Sequence, residues 1–363
     1  MGSHGYSAVS LYSGAGGLDL GFVRAGVEIA WAIDWDRDAV ATHRELVDAP
    51  VVCRDLLEIA LPAGPRPDLV IGSPPCEGFP LVAGQDRGDA RSGHLLHFLD
   101  AVAQLEPRAF VLESVKALAT GPRWRATRER LIAQARALGY AVELFVLDAA
   151  GHGVPQARER AFLVGLLDGR PAPPPCSAGP PPTVRETLLR LPRVGDPGND
   201  GVCEARVVPA RVPVLRPDAH RGSLLFDGAG RPLQLDGQAR SIGASLGGSA
   251  TPIVDQQELD DGADPWVVGY HARLLRGERP LKKAPSRMRR ITTQEAAALQ
   301  TFPLGTVFSG SLSSQYRQIG DAVPPRLAEA VAAGVVAALR EADERAAAER
   351  ELTHLGDPHA TVA

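Results

Sequence analysis

Three stretches of this 363-residue chain carry residue types and spacings that do chemistry. The first is Ser13-Gly14-Ala15-Gly16-Gly17, between the apolar run Val9-Ser10-Leu11-Tyr12 and a segment with Leu18, Gly21, Phe22 and Ala25 at helical spacing. Glycines at such a strand-to-helix junction let the backbone approach a ligand beside a helix N-terminus. The spacing is not G-x-G-x-x-G, because Asp19 stands where the third glycine would be, and this argues against a nicotinamide dinucleotide. Asp34 follows the second apolar run, where a doubly wound sheet offers a carboxylate to a ribose, and Asp55 is placed to meet an adenine amino group. Alone, this set fits a nucleoside-type cofactor and a plain tight turn equally well.

The second stretch is Pro74-Pro75-Cys76, after a strand ending in Gly72. Two prolines restrict the backbone and present the thiol at a fixed angle. A lone cysteine is more often a small buried hydrophobe, but the strand-to-loop position and the rigid flanks favour a nucleophile here. Glu113, just past the strand Ala109–Leu112, and the third stretch, Gln156-Ala157-Arg158-Glu159-Arg160, are predicted at the same sheet edge. Arginine pairs near a strand end are usually surface ion-pair material. A thiol, a carboxyl and two guanidiniums converging on one edge make a candidate catalytic constellation.

The elements that position these groups alternate in the first 165 or so residues. Strands are predicted at 9–12, 28–33, 68–72, 109–112, 141–147 and 161–166, and helices at 18–25, 37–46, 95–105 and 125–138. Crossovers of this length imply an α/β fold with a doubly wound, mostly parallel sheet. Prolines at 171–175 and 180–182 mark a linker, and residues 183–285 show short apolar pieces broken by Gly, Pro and Asp. The expected organisation is a catalytic and cofactor-binding domain over 1–170, a smaller irregular domain over 171–285, a return to the first domain over 286–345 and a frayed tail over 346–363. In the returning part, Thr292-Thr293-Gln294-Glu295 reads as a capping box, and a long Ala/Val-rich helix is expected from Pro324-Pro325 to about Arg340.

These motifs, taken in order, resemble the DNA (cytosine-5) methyltransferase family. Ser13–Gly17 with Tyr12 is similar to its F-x-G-x-G-G element, and Pro74-Pro75-Cys76-Glu77-Gly78-Phe79 to its P-P-C-Q-x-F loop. Glu113-Ser114-Val115 resembles E-N-V, and Gln156-x-Arg158-x-Arg160 matches Q-x-R-x-R. Leu299-Gln300-Thr301-Phe302-Pro303 matches L-Q-x-F-P, and Gln318–Pro324 resembles Q-x-G-N-x-V-P. The six elements span residues 8–335.

The resemblance implies a bacterial-type, class I (Rossmann-like) methyltransferase that uses S-adenosylmethionine, acts on double-stranded DNA and flips the target cytosine out of the stack. Cys76 would attack carbon 6, Glu113 would serve N3, and Arg158 and Arg160 would hold O2 and neighbouring groups. Tyr12, Gly14, Gly16 and Gly17 would line the methionine side of the cofactor, Asp34 its ribose and Asp55 its adenine, with Asp321 near the same site. Trp35 would stack on the adenine or serve as a structural tryptophan. Residues 78–92 would form a mobile loop over the DNA, and the smaller domain would be the target-recognition domain.

Residues 271–290 hold eight Lys/Arg against one acid, Glu278. Such a run is commonly a solvated face, but it also suits a phosphate track, with Arg273, Arg276, Lys282, Lys283 and Arg287 as candidate DNA contacts. Arg206, Arg211, Arg221 and Arg240 are candidates for reading guanine edges. Four positions depart from the family pattern: Glu77, Pro80, Ser114 and Asp321. Three alternatives therefore stay open: a relative that transfers a modified group, one that methylates RNA, and one that only binds DNA.

Composition narrows the setting. With 44% hydrophobic residues the chain is no disordered tail. No unbroken run of 18 apolar residues suggests a membrane span, and the N-terminus lacks the pattern of a signal peptide. The four cysteines form no C-x-x-C pair, so no metal site or disulfide framework is expected, and a reduced cytoplasmic setting fits. Thirty-nine basic against 43 acidic residues leave a net charge of -4, compatible with a local DNA-binding face. A monomer, working in a bacterium beside a restriction or defence system, is expected by analogy with the family.

Overall fold

The computed structural model describes residues 5–61, 64–75, 89–213, 232–246 and 250–355. Strands β1 (Ser7–Leu11), β2 (Glu28–Asp34), β3 (Val51–Cys53), β4 (Leu69–Gly72) and β5 (Ala109–Val115) pair in parallel. They are followed by β6 (Ala141–Asp148), the two-residue β7 (Gln156–Ala157) and β8 (Glu159–Leu166). Among the described residues, seven strands form one sheet in the order β3-β2-β1-β4-β5-β8-β6, with β8 antiparallel to both neighbours. The mostly parallel, doubly wound sheet read from the sequence is therefore present.

The sheet is buried on both faces, which is why β4 reads as an unbroken apolar run. Its covering helices are α1 (Gly17–Arg24), α2 (Arg37–Leu46), α3 (Asp89–Leu105), α4 (Lys116–Thr120) and α5 (Arg125–Ala137). One core layer places Leu18 and Phe22 of α1 against Ile29, Ile71 and Val111. The opposite layer places Leu95, Phe98 and Leu99 of α3 and Leu131 of α5 against Val9, Val70 and Phe110. Asp36 starts α2 by accepting hydrogen bonds from the Asp38 and Ala39 amides at 2.9 and 3.3 Å.

A second core gathers α6 (Val184–Leu188), the two-residue β9 (Ala239–Arg240), β10 (Ile253–Asp255) and α7 (Gln256–Asp261), while β11 (Met288–Arg290), antiparallel to β10, and α8 (Trp266–Leu275) pack Met288 and Val267 with Ile253 in a small cluster beside it. Helices α9 (Thr293–Leu299) and α10 (Leu312–Asp321) contribute Leu299, Tyr316 and Ile319 to this same core, and Ile291, just before α9, joins them. The packing thus runs through residue 285 without a break, and the sheet regains the chain at α11 (Pro325–Leu355). The expected Thr292/Glu295 capping box opens α9.

Three sequence expectations need correction. Strand β5 continues to Val115, because antiparallel pairing with β8 extends to Val115 opposite Arg160, so Glu113 lies inside the strand. Helix α3 begins at Asp89, taking in the end of the segment expected to be a loop; residues 76–88 lie outside the described residues. Helix α11 runs to Leu355, past the expected end near Arg340 and into the region expected to fray. Its second half is rich in Ala, Glu and Arg, which favour helix. The stretch 312–352 has the length and apolarity to cross a membrane by composition, yet 56% of its most apolar window is buried in the protein, where α11 packs on α1.

The α1–α11 contact is close enough to constrain a single atom. A Cβ at Gly21 would lie 2.3 Å from the Ala328 methyl and 2.5 Å from the Glu329 amide nitrogen. Backbone cannot yield as a side-chain tip can, so Gly21→Ala is expected to destabilise the fold by about 1–3 kcal/mol through overpacking. Urea unfolding checks this; a wild-type midpoint would show that the two helices separate without cost.

Candidate active site

The functional groups emerge at the carboxyl edge of the parallel strands, where open α/β sheets bind ligands. After β1 the chain turns sharply: Tyr12 and Gly14 both have φ 54° and Gly16 has φ 87°. Gly16 is the N-cap of α1, and its conformation is one that a residue with a Cβ adopts at a cost. Space is short there as well, since a Cβ would lie 2.9 Å from the Val47 side chain.

Behind this loop lies a polar group that sequence reading did not single out. Asp19 is fully buried, accepting from Ser10 Oγ at 2.7 Å and facing His43 Nε2 at 2.7 Å. The signal was present: Asp19 occupies the position where a dinucleotide fingerprint has its third glycine. Its carboxylate ties β1, α1 and α2 together beneath the glycines.

Tyr12, Ile33, Asp34, Trp35, Arg54, Asp55, Leu56, Pro75 and His94 line a cleft at the edge of β1, β2 and β3. It contains the predicted Tyr12, Asp34, Trp35 and Asp55; Arg54, Leu56, Pro75 and His94 were not predicted. Asp34 accepts from the Gly14 and Asp36 amides at 2.8 and 2.9 Å. Burial pushes its carboxyl above the ordinary range, and these two donors oppose the rise. Asp55 accepts from the Leu57 amide at 3.0 Å. The Trp35 side chain is 54% exposed, an indole at the surface of the cleft rather than in the core. Gly17 lies against Ala322 and Val323, so the segment following Asp321 borders the same loop. Two carboxylates, an accessible indole and a glycine turn suit a nucleoside carrying a cationic tail.

A second cluster adjoins this cleft through the chain segment Ser73–Pro75. Glu113, 5% exposed on β5, pairs with Arg160 Nε of β8 at 3.0 Å and accepts a hydrogen bond from the Ser73 hydroxyl. Register puts Arg160 opposite Val115 across the antiparallel pair, within reach of Glu113. Ser114 beside it is buried. Pro75, which lines the cleft, directly precedes Cys76; Cys76, Glu77 and Pro80 lie outside the described residues.

Arg158 does not join this cluster, contrary to expectation. Its side chain is fully buried, with Nη1 donating to Ile242 O and to Ser241 Oγ at 3.4 Å, and Nη2 to Gly320 O at 2.7 Å and Ala322 O at 3.1 Å. Arg158 lies in the break between β7 and β8, outside both strands, so it and Arg160, two residues on and inside β8, reach different surroundings, one inward and one to the edge. Burial, and Arg160 beside it, push the Arg158 guanidinium down to about 9, which leaves it charged at neutral pH. Gln156 extends the bracket, accepting from Ile242 N at 2.7 Å and donating to Gln300 Oε1 at 2.9 Å.

The basic run is also partly consumed inside the protein. Arg287 pairs with Asp255 at 2.5 Å and is only 17% exposed, so it is a structural ion pair and not the phosphate contact expected. Arg289 pairs with Glu295, and Arg290 is buried on Thr251 O. Arg273 and Arg276 are at the surface but share Glu278, at 2.6 and 2.9 Å. Arg279, Lys282 and Lys283 are exposed, and none makes an ion pair among the described residues. Arg206 donates to Lys282 O, and Arg221 lies outside the described residues.

The sheet order, the cleft at its carboxyl edge and the flanking polar cluster define a class I, Rossmann-like methyltransferase fold. The sequence profile of the C-5 cytosine-specific DNA methylases matches residues 6–189 and 255–337. Similar curated proteins include the type II methyltransferases M.AplI of Arthrospira platensis, 30% identical over 93% of this chain and 87% of that protein, and M.XorII of Xanthomonas oryzae pv. oryzae, 30% identical over 96% and 88%. Among solved structures, an E. coli prophage-encoded protein described as a DNA modification methyltransferase superposes with a TM-score of 0.65 at 21% identity, covering 92% of this chain and 99% of that one. Dnmt2 methyltransferase of S. pombe superposes with a TM-score of 0.61 at 16% identity, covering 93% and 98%. The chain belongs to the C-5 cytosine-specific DNA methylases, and it is a DNA cytosine methyltransferase.

The Arg158 bracket has a measurable cost of removal. Arg158→Leu leaves several buried carbonyls without donors and is expected to cost about 3–5 kcal/mol in urea unfolding. Arg158→Lys is expected to recover little of this, since an ammonium cannot span two segments as a planar fork does. Wild-type stability in the lysine variant would refute the bracket.

Proposed function

We propose that this enzyme methylates carbon 5 of a flipped-out cytosine in double-stranded DNA, at a specific sequence, through a covalent adduct with Cys76. The observation that carries the reading is the Glu113–Arg160–Ser73 cluster beside a cleft reached by Pro75, the residue before Cys76. S-adenosylmethionine, when bound in the cleft of Tyr12, Asp34, Trp35 and Asp55, supplies an electrophilic methyl group. The aromatic ring of cytosine is a weak nucleophile at carbon 5. Addition of the Cys76 thiolate to carbon 6 breaks that aromaticity and places electron density on carbon 5.

Glu113 hydrogen-bonds at N3 as that density develops, and Arg160, already held by Glu113, offers its remaining N–H groups to O2. Arg158 supports this edge from within. After methyl transfer, loss of the carbon-5 proton and expulsion of the Cys76 sulfur restore the aromatic ring. A stacked base cannot enter such a site, so the cytosine must leave the duplex. The curated relatives are named as type II methyltransferases, which supports a role beside a companion restriction nuclease.

Expression in a host without cytosine-5 methylation, followed by mass spectrometry of DNA nucleosides, tests the reaction. A 5-methylcytosine signal is expected, absent in Cys76→Ser, with a covalent trap on 5-fluorocytosine DNA formed by the wild type alone. Glu113→Gln is expected to lower kcat by about 10²–10⁴-fold. A heavier cytosine derivative would mean a modified transferred group, and methylated RNA with unmodified DNA would change the substrate. Soluble, folded protein that modifies neither would leave DNA binding alone.

Binding to phosphate has its own signature. Lys282→Ala and Lys283→Ala are each expected to reduce the slope of log affinity against log salt by about 0.9 for every phosphate the variant no longer neutralises. Arg287→Ala, by contrast, is expected to lower the unfolding midpoint and leave that slope unchanged, because its partner is Asp255. Salt-dependent binding to a duplex measures both; unchanged slopes in the lysine variants would remove this surface from the DNA interface.

A further inference from the structure

Tyr12 stands where the family element has phenylalanine, and the hydroxyl it adds has a partner in the structure. Its Oη lies 3.3 Å from Nδ1 of His94, and the two rings meet edge to face, centroids 5.6 Å apart at 85°. Tyr12 comes from the turn after β1 and His94 from α3, and both line the cleft. The Tyr12 backbone is in the left-handed region at φ 54°, where a non-glycine residue needs support from its surroundings. The Tyr12 side chain meets His94 across the cleft.

We propose that His94 is a positioning residue for the cofactor: its Nδ1 accepts a hydrogen bond from the Tyr12 hydroxyl, fixes the Tyr12 ring as a wall of the cleft and lets go of it on protonation. The inference rests on reading this cleft as the S-adenosylmethionine site. Among the described residues, the charged or titratable groups around His94 include Asp55, from the loop after β3, His97 on α3 itself, and Tyr12, with Asp34 and Arg54 also lining the cleft. Burial holds His94 below the ordinary histidine range; Asp55 opposes this and His97 adds to it. Burial pushes the Tyr12 phenol upward, so it stays a donor at neutral pH.

The sign of the effect follows. Neutral His94 can accept at Nδ1, whereas the imidazolium has an N–H on both nitrogens and cannot. The bond is present above the lowered His94 pKa and lost as pH falls through it, so cofactor affinity falls on acidification. Asparagine places an oxygen acceptor close to the position of Nδ1 but does not titrate.

Calorimetric titration with S-adenosylhomocysteine, at about pH 8 and about pH 5.5, tests the pair, with circular dichroism to verify folding. At the higher pH, Tyr12→Phe and His94→Leu should each weaken binding roughly three- to tenfold, and the double variant no more than the weaker single one. His94→Asn should bind within about twofold of the wild type at the higher pH and lose less affinity on acidification. Any acid dependence left in His94→Asn belongs to the cleft carboxylates. Additive losses in the double variant, or an acid dependence equal in the wild type, Tyr12→Phe and His94→Asn, would overturn the proposal. Folded wild type that does not bind S-adenosylhomocysteine at either pH would overturn the cofactor reading as well, an outcome distinct from the other two.

Discussion

Much of this structure depends on one buried charge. The buried guanidinium of Arg158 satisfies carbonyls of Ile242, Gly320 and Ala322, joining the β7–β8 segment to two parts of the chain far away in sequence. The second core has little regular structure to hold it in place. Its strands are two or three residues long, and its backbone pairing with the segment that leads into the main sheet is the short β7–β9 ladder, which the Arg158 and Gln156 side chains reinforce. A buried polar network earns this role by direction: a planar fork accepts one arrangement of carbonyls, whereas apolar contacts tolerate sliding. The smaller unit is therefore held in register with the sheet edge by Arg158 and Gln156, and with it any surface that meets DNA.

At that edge the chain solves a geometric problem by reversing one strand. Because β8 runs antiparallel to β5, its beginning lies beside the carboxyl end of β5. Arg160, near the start of one strand, thereby meets Glu113, near the end of the other. In a parallel arrangement the start of a strand would lie at the opposite edge of the sheet. Register matters equally: a slip of one residue would turn Arg160 to the other face. The break between β7 and β8 then gives the two arginines separate tasks: Arg158, in the break, goes inside, and Arg160, within β8, stays at the edge.

The alternation of strands and helices was legible in the sequence because a parallel sheet buried on both faces demands uninterrupted apolar runs such as Leu69-Val70-Ile71. Composition also revealed the Thr292/Glu295 helix start and the glycine turn. What stayed illegible depended on partners remote in sequence. Glu113 looked like a residue beyond its strand, because the local apolar run stops at Leu112 while the pairing with β8 does not. Arg158 and Arg160 share one motif, and nothing local distinguishes a guanidinium that will meet carbonyls of residues 242 and 320 from one that will meet a carboxylate. The basic run misled in the same way, since Asp255 and Glu295 neutralise Arg287 and Arg289 from other elements. His94 carried no motif at all; its significance comes from facing Tyr12 across the cleft.

The position of α11 has a consequence for how the chain acquires its shape during synthesis. Leu18 and Phe22, beside the cofactor loop, share a core layer with Leu327, Val331 and Val335. The ribosome releases α1 among the first elements and α11 after all the other described ones. Throughout that interval the apolar face of α1 lacks its neighbour, and the nascent sheet is covered on one side less completely than on the other. Domains that fold as units cannot finish vectorially under such a constraint. The glycine turn sits at the N-terminus of α1, so the packing behind that turn is complete only when the late helix docks. The order of synthesis thus leaves the fixing of that turn to one late helix-to-helix contact.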